Sequence, residues 1–293
     1  MNDQDNRWIA AMPIVFVLIW STGFVVAKLG MPHAAPMTFL SWRYALSAMC
    51  FVAWAWLSGV RMPRDRAQWA HLAVTGIFMH AGYLGGVWAA VKAGMGAGLS
   101  ALIVGLQPVL TGIFLSYTGS KVSPKQWLGL ALGLVGLLLV VSNKLLVVGE
   151  VTWFTLSLAV MALLSITTGT LYQKRFVKPC DVRAASSVQL LAAFAVTAPL
   201  AWLEQAPMVW VHDLVVAMLW SVLALTLGAS SLLYMLIQRG AATAVTSLIY
   251  LVPPCAAVLA WLMFDEALTA VTVFGMAVTV LGVAMVRPGS IQK

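Results

Sequence analysis

Polar positions in this chain do not alternate with apolar ones, nor do they mark one face of each helix. They interrupt long apolar stretches. Ten such stretches lie at about 10–29, 36–58, 69–91, 98–117, 125–142, 152–173, 184–203, 214–237, 242–263 and 269–286. Each is close to the roughly 20 residues that cross a bilayer as a helix. Hydrocarbon offers a backbone no partners, and a helix satisfies its own groups. Strands of a membrane barrel would be shorter and would alternate, whereas the run from Ala131 to Val141 is apolar throughout. The pattern predicts an all-α membrane protein with ten transmembrane helices. Residues 1–9 are polar, and the first apolar run is long enough to remain as a span rather than be removed as a signal.

Composition narrows the class. Of 293 residues, 62% are hydrophobic and 9% are charged, where a soluble domain carries about a quarter charged. A soluble enzyme is excluded, and little length remains for a soluble domain. The net charge of +8 does not point to nucleic acid, because the basic residues sit in short loops. With the N-terminus inside, thirteen of the 17 Lys and Arg fall on cytoplasmic segments and three, Lys28, Lys92 and Lys144, fall outside; Arg43 lies within a span. That bias predicts both termini in the cytoplasm. Tryptophans agree: Trp54 and Trp56 fall at inner ends, Trp42 and Trp210 at outer ends. Cys50, Cys180 and Cys255 form no paired framework and are expected as small hydrophobes.

The chain repeats itself at an offset of 146 residues. Five of the seven glycines in the second half land on glycines of the first: Gly23/Gly169, Gly82/Gly228, Gly94/Gly240, Gly129/Gly275 and Gly136/Gly282. Composition alone gives about one such match. Pro108 falls on Pro254 and Leu102-Ile103 on Leu248-Ile249. The repeats are 1–147 and 148–293, each with five spans. Five is odd, so the second copy enters the membrane in the opposite sense. Two inverted five-helix repeats are an architecture of secondary transporters, and suit alternating access.

All nine acids lie at termini, in loops or at span ends. A proton-coupled pump for cations is expected to hold a carboxylate within the membrane, so cation selection is disfavoured and substrate is expected to run down its gradient or to couple only weakly to protons. Arg43 is the permanent charge within a span. Two readings are open: it caps a neighbouring helix or bonds carbonyls, or it lines the outer vestibule and attracts carboxylates. Its counterpart is Gln189, near the inner end of the seventh span, which makes the two a polar pair at opposite gates. His80 and Tyr83 are three apart, on one face of an α-helix, and either pack or line a central cavity. Trp20 and Thr22 lie in a polar, aromatic patch of the first span. Gln107-Pro108 and Val252-Pro253-Pro254 break the fourth and ninth spans at matching depths, with Tyr250 one turn before Pro254. No nucleophile triad, metal cluster or nucleotide loop is present in the pattern, so neither catalysis nor a cofactor is expected.

These residues resemble a known family. Trp20-Ser21-Thr22-Gly23-Phe24-Val25-Val26-Ala27-Lys28, Ser41-Trp42-Arg43-Tyr44, the segment from Ala97 through Pro108, and Asp265-Glu266-Ala267-Leu268 resemble motifs of the drug/metabolite transporter superfamily with paired EamA domains. Within it, the chain is similar to YddG-type exporters of aromatic amino acids. The resemblance implies an inner-membrane exporter of aromatic or other neutral amino acids and related metabolites, acting as a monomer through a central cavity. Its substrate-binding candidates are Trp20, Thr22, Arg43, His80, Tyr83, Gln107, Gln189 and Tyr250. The alternative is another solute of the same superfamily: a sugar, a nucleotide or an amphipathic drug. One departure stands out: Glu266 falls on Ser120, where the family often has Glu in both repeats.

Overall fold

In a computed structural model, the described residues are 3–117, 123–144, 151–232 and 252–285. Every regular element among them is helical: α1 (Asp3–Gly30), α2 (Pro36–Leu57), α3 (Arg66–Lys92), α4 (Ala97–Val104), α5 (Gln107–Tyr117), α6 (Pro124–Lys144), α7 (Trp153–Phe176), α8 (Val182–Glu204), α9 (His212–Leu232), α10 (Val252–Phe264) and α11 (Ala270–Met285). Arg66–Lys92, Ala97–Phe114, Trp153–Phe176, Val182–Glu204 and His212–Leu232 are long and apolar enough to cross a membrane. Large apolar side chains stand exposed on many helices, among them Leu138, Leu164, Leu223 and Leu281. Soluble monomers rarely expose so much apolar surface; lipid covers it here.

Helix ends carry unsatisfied N–H groups, and this chain caps them with carboxylates. Asp65 accepts from Ala67 N at 2.9 Å and Asp181 from Arg183 N at 2.8 Å, each starting its own helix. The Ala67 N–H first, and then Lys178, hold the Asp65 carboxyl below its ordinary range; Arg183 does the same for Asp181. Two other caps come from distant parts of the chain, one at a helix end and one in the turn between α10 and α11. Glu204, at the end of α8, accepts from Met37 N, Thr38 N and the Thr38 hydroxyl at the start of α2. Glu266 accepts from Ala97 N at the start of α4.

The helices form two compact units. One comprises Met1–Val25, Gly94–Thr155 and Ala229–Lys293; the other, Val26–Ala93 and Leu156–Gly228. Both draw on both halves of the chain. In the first unit α6 packs on α11 through glycine. A Cβ on Gly136 would stand 2.5 Å from Gly275 O, and one on Gly282 would stand 2.5 Å from Gly129 O. Adding 146 to Gly136 and subtracting it from Gly275 turns the first contact into the second. Two-fold symmetry within the α6–α11 pair makes that exchange.

In the second unit α2 and α3 both pack on α8. Gly76 lies against the backbone of Gln189. Phe39 stacks on Trp88 with ring centroids 4.4 Å apart. Trp42 and Trp210 meet edge to face, while Arg183 lies over Trp54. Residues expected on one side of the membrane thus meet in the structure.

Two regions depart from simple α-geometry. Ile77–Gly82 within α3 and Trp220–Ala229 within α9 are π-helical. Shifted by 146, the first becomes 223–228, inside the second. Nothing in the hydrophobic pattern announces a π-turn, because it changes hydrogen-bond register and not composition. The break expected at Gln107-Pro108 falls at Gly105-Leu106, and Gln107 begins the resumed helix. Gly105 itself lies against Pro253.

Gly136→Ala and Gly282→Ala are each expected to force α6 from α11 and to cost about 1–3 kcal/mol. Leu134→Ala, on the exposed side of α6, should cost little. Melting temperatures of the purified protein in detergent check this.

Candidate functional site

A polar cluster within the second unit gathers residues from α2, α3, α8 and α9. Its centre is Arg43, 7% exposed. The Arg43 Nε and Nη2 donate to the Thr226 hydroxyl at 3.3 and 3.2 Å. Thr226 in turn donates to Ser221 O at 2.8 Å, five residues back, the reach of a π-turn. A guanidinium has five N–H donors, and Thr226 takes two. Among the described residues no carboxylate pairs with it. A charge so placed costs several kcal/mol unless something compensates it.

Tyr44, fully buried beside it in sequence, donates to His80 O at 2.8 Å. Its ring meets the His80 imidazole edge-on at 5.9 Å. Gln189 approaches the His80 side chain from α8, and Arg43 lies within electrostatic reach of both His80 and Tyr83. Tyr83 is buried and His80 is half-buried; the π-turn between them changes the spacing that an α-helix would give. The buried hydroxyls of Ser41 and Ser47 on α2, and of Ser221 on α9, have no hydrogen-bond partner among the described residues. Orphaned buried hydroxyls call for water or a ligand.

The sequence reading set Arg43 and Gln189 at opposite gates; the structure brings both to His80. It also adds Tyr44 and Thr226, which that reading passed over. Thr226 was within reach, since the offset that pairs Arg43 with Gln189 pairs His80 with Thr226. The contacts Arg43–Thr226 and Gln189–His80 are therefore reciprocal, like those of the glycines.

The other candidates belong to the first unit. Trp20 lies tilted against Phe16 at 5.3 Å, the Thr22 hydroxyl donates to Ile19 O, and Gln107 O accepts from Thr111 at 2.9 Å. Tyr250 lies outside the described residues. A cavity of about 20 Å³, lined by Gly98, Leu102, Glu266 and Thr272 among others, holds at most a water. Among the described residues no three His, Cys, Asp or Glu side chains gather as metal ligands.

Apolar helices of membrane length around a buried polar cluster mark a multi-pass membrane protein. The model of the EamA-like transporter family matches residues 7–142 and 153–287, and the chain belongs to that family. It is 24% identical over 289 residues to the "Probable amino-acid metabolite efflux pump" of Escherichia coli (strain K12), covering 94% of each. It is 23% identical over 186 residues to the "Uncharacterized inner membrane transporter YedA" of the same organism, covering 60% of this chain and 56%, little more than half, of that relative. A solved structure titled "Crystal structure of protein" superposes with a TM-score of 0.67 at 18% identity, over 98% of this chain and 99% of that one. That likeness supports the fold.

Thr226→Val is expected to leave the buried guanidinium without a partner and to cost about 1.5–3 kcal/mol, the range for a bond to a charged group. Thr226→Ser should restore most of it. Tryptophan-fluorescence unfolding of the purified variants checks this.

Proposed function

We propose that this protein exports amino acids, aromatic or other neutral ones, and related metabolites by alternating access through a central cavity. In this reading ten helices form two inverted repeats, residues 1–147 and 148–293. Both termini lie in the cytoplasm, and the protein works as a monomer in the bacterial inner membrane. The reciprocal contacts at the α6–α11 glycines and at Arg43–Thr226 and Gln189–His80 support the two-fold relation. The name of the efflux pump similar over 94% of each chain supports the solute class.

The observation that carries the reading is the buried Arg43 cation, which among the described residues has donors to spare and no carboxylate beside it. A carboxylate from the solute supplies the missing anion, and Arg–carboxylate pairs are strong and directional. Tyr44, Tyr83 and His80 offer aromatic surface beside it, which suits an aromatic solute. Trp20, Thr22, Gln107 and Tyr250 are further substrate-binding candidates of the sequence. The acids of the sequence lie at helix ends and in loops, so no buried carboxylate is at hand to carry a proton, and the solute moves down its own gradient.

Proteoliposomes holding the purified protein are expected to pass labelled phenylalanine and other neutral amino acids. Arg43→Gln should lower that flux by about tenfold or more. Trp20→Ala and His80→Ala should lower it while the protein stays folded. No flux above empty liposomes for any amino acid tested would overturn the reading. A trapped pH dye should report no acidification tied to the flux; strict coupling would remove the passive mechanism alone.

A further inference from the structure

The two reciprocal contacts of the second unit differ in charge. Arg43–Thr226 is cationic. Its counterpart sets the Gln189 amide near the His80 imidazole, and neither bears a permanent charge. A solute that lies between them therefore meets a cation at one end and a neutral hydrogen-bonding pair at the other.

A free amino acid brings an ammonium as well as a carboxylate, and among the described residues of this unit no carboxylate stands by to receive it; the polar groups near Arg43 are neutral. Four acids are in view, and each stands at a helix end. Asp65 accepts from Ala67 N and Lys178. Asp181 accepts from Arg183, Glu204 caps α2, and Asp213 lies beside His212. None of them pairs with Arg43 or approaches His80 in the structure. Backbone carbonyls can also hold an ammonium, and π-turns are where carbonyls come loose. Here those of His80 and Ser221 already accept from Tyr44 and Thr226. An ammonium would thus enter a buried site next to a guanidinium with no carboxylate among the described residues to offset it, which is unfavourable.

We infer that the Arg43 site selects monocarboxylates whose second polar group is uncharged, such as 2-hydroxy, 2-oxo or N-acyl acids, over the matching zwitterionic amino acids, and that Gln189 reads this second group. The inference rests on the proposed export of amino acids and related metabolites, and says which related metabolites bind best. A hydroxyl, keto or amide oxygen can pair with the Gln189 amide, while the carboxylate takes the Arg43 N–H groups that no described residue takes. Few polar groups in the right place fix the orientation of a small ligand.

The test is competition against labelled 3-phenyllactate in proteoliposomes of the full chain. Unlabelled 3-phenyllactate and N-acetylphenylalanine should compete at least about tenfold more strongly than phenylalanine, and phenethylamine should not compete. Gln189→Glu places a carboxylate opposite Arg43, and should shift the phenylalanine-to-phenyllactate preference by about tenfold toward phenylalanine. Gln189→Leu should weaken 3-phenyllactate about tenfold and leave 3-phenylpropionate, which lacks the second polar group, unchanged.

The wild-type ranking decides the charge preference even where a variant does not fold. If phenylalanine competes as well as phenyllactate or better, the inference fails while amino-acid export stands. If none of the four carboxylates binds or moves, the proposed function fails with it. If Gln189→Leu weakens phenyllactate and phenylpropionate alike, Gln189 supports the fold and does not read the solute.

Discussion

Hydrocarbon supplies no hydrogen bonds, and this constraint orders the whole molecule. It makes every described element a helix, and it makes helix ends and helix irregularities the places where polar side chains gather. Glu204 and Glu266 act on that account, each bringing a carboxylate to the first N–H groups of a helix distant in sequence. Tyr44 and Thr226 act likewise at the π-turns, where they take up carbonyls. Against this background of satisfied groups Arg43 is conspicuous. It carries the strongest demand for partners of any buried side chain in its unit, and a single hydroxyl answers it.

Close approach is the second requirement. Without a hydrophobic force between helices in lipid, packing depends on backbones coming near enough for many weak contacts. Gly136 and Gly282 serve α6 and α11 in this way, and Gly76 lets α3 reach the backbone that carries Gln189. This last contact joins packing to chemistry. It holds α3 and α8 at the separation at which the Gln189 amide meets His80.

Much of the fold was legible because it rests on composition over long windows. Among the described residues the apolar runs and the helices agree to within a few residues, except that α1 begins earlier, since its polar first turn carries no apolar signal; the ends expected at 237 and 242 lie outside the described residues. The glycine matches at 146 found the contact residues of α6 and α11 before any geometry. The site was legible only in part. Arg43, His80 and Gln189 stood out as polar residues in apolar spans, but their meeting did not, because depth along a span says nothing about which neighbouring helix a side chain faces. Tyr44 and Thr226 look like ordinary members of apolar helices. Their roles come from two π-turns, a change of backbone register that leaves no mark in hydropathy.

The divergence between the two halves of the site has a physical reason. An arginine at both position 43 and position 189 would put two guanidinium groups around one buried cluster, with no carboxylate among the described residues to separate them. The Coulomb cost of such a pair rises steeply as water is excluded. Two neutral residues would avoid that cost and lose the attraction for an anion. One cation and one amide keep the attraction without the repulsion. A duplicated frame can therefore stay symmetric in its backbone, as the glycines show, while its polar residues must differ.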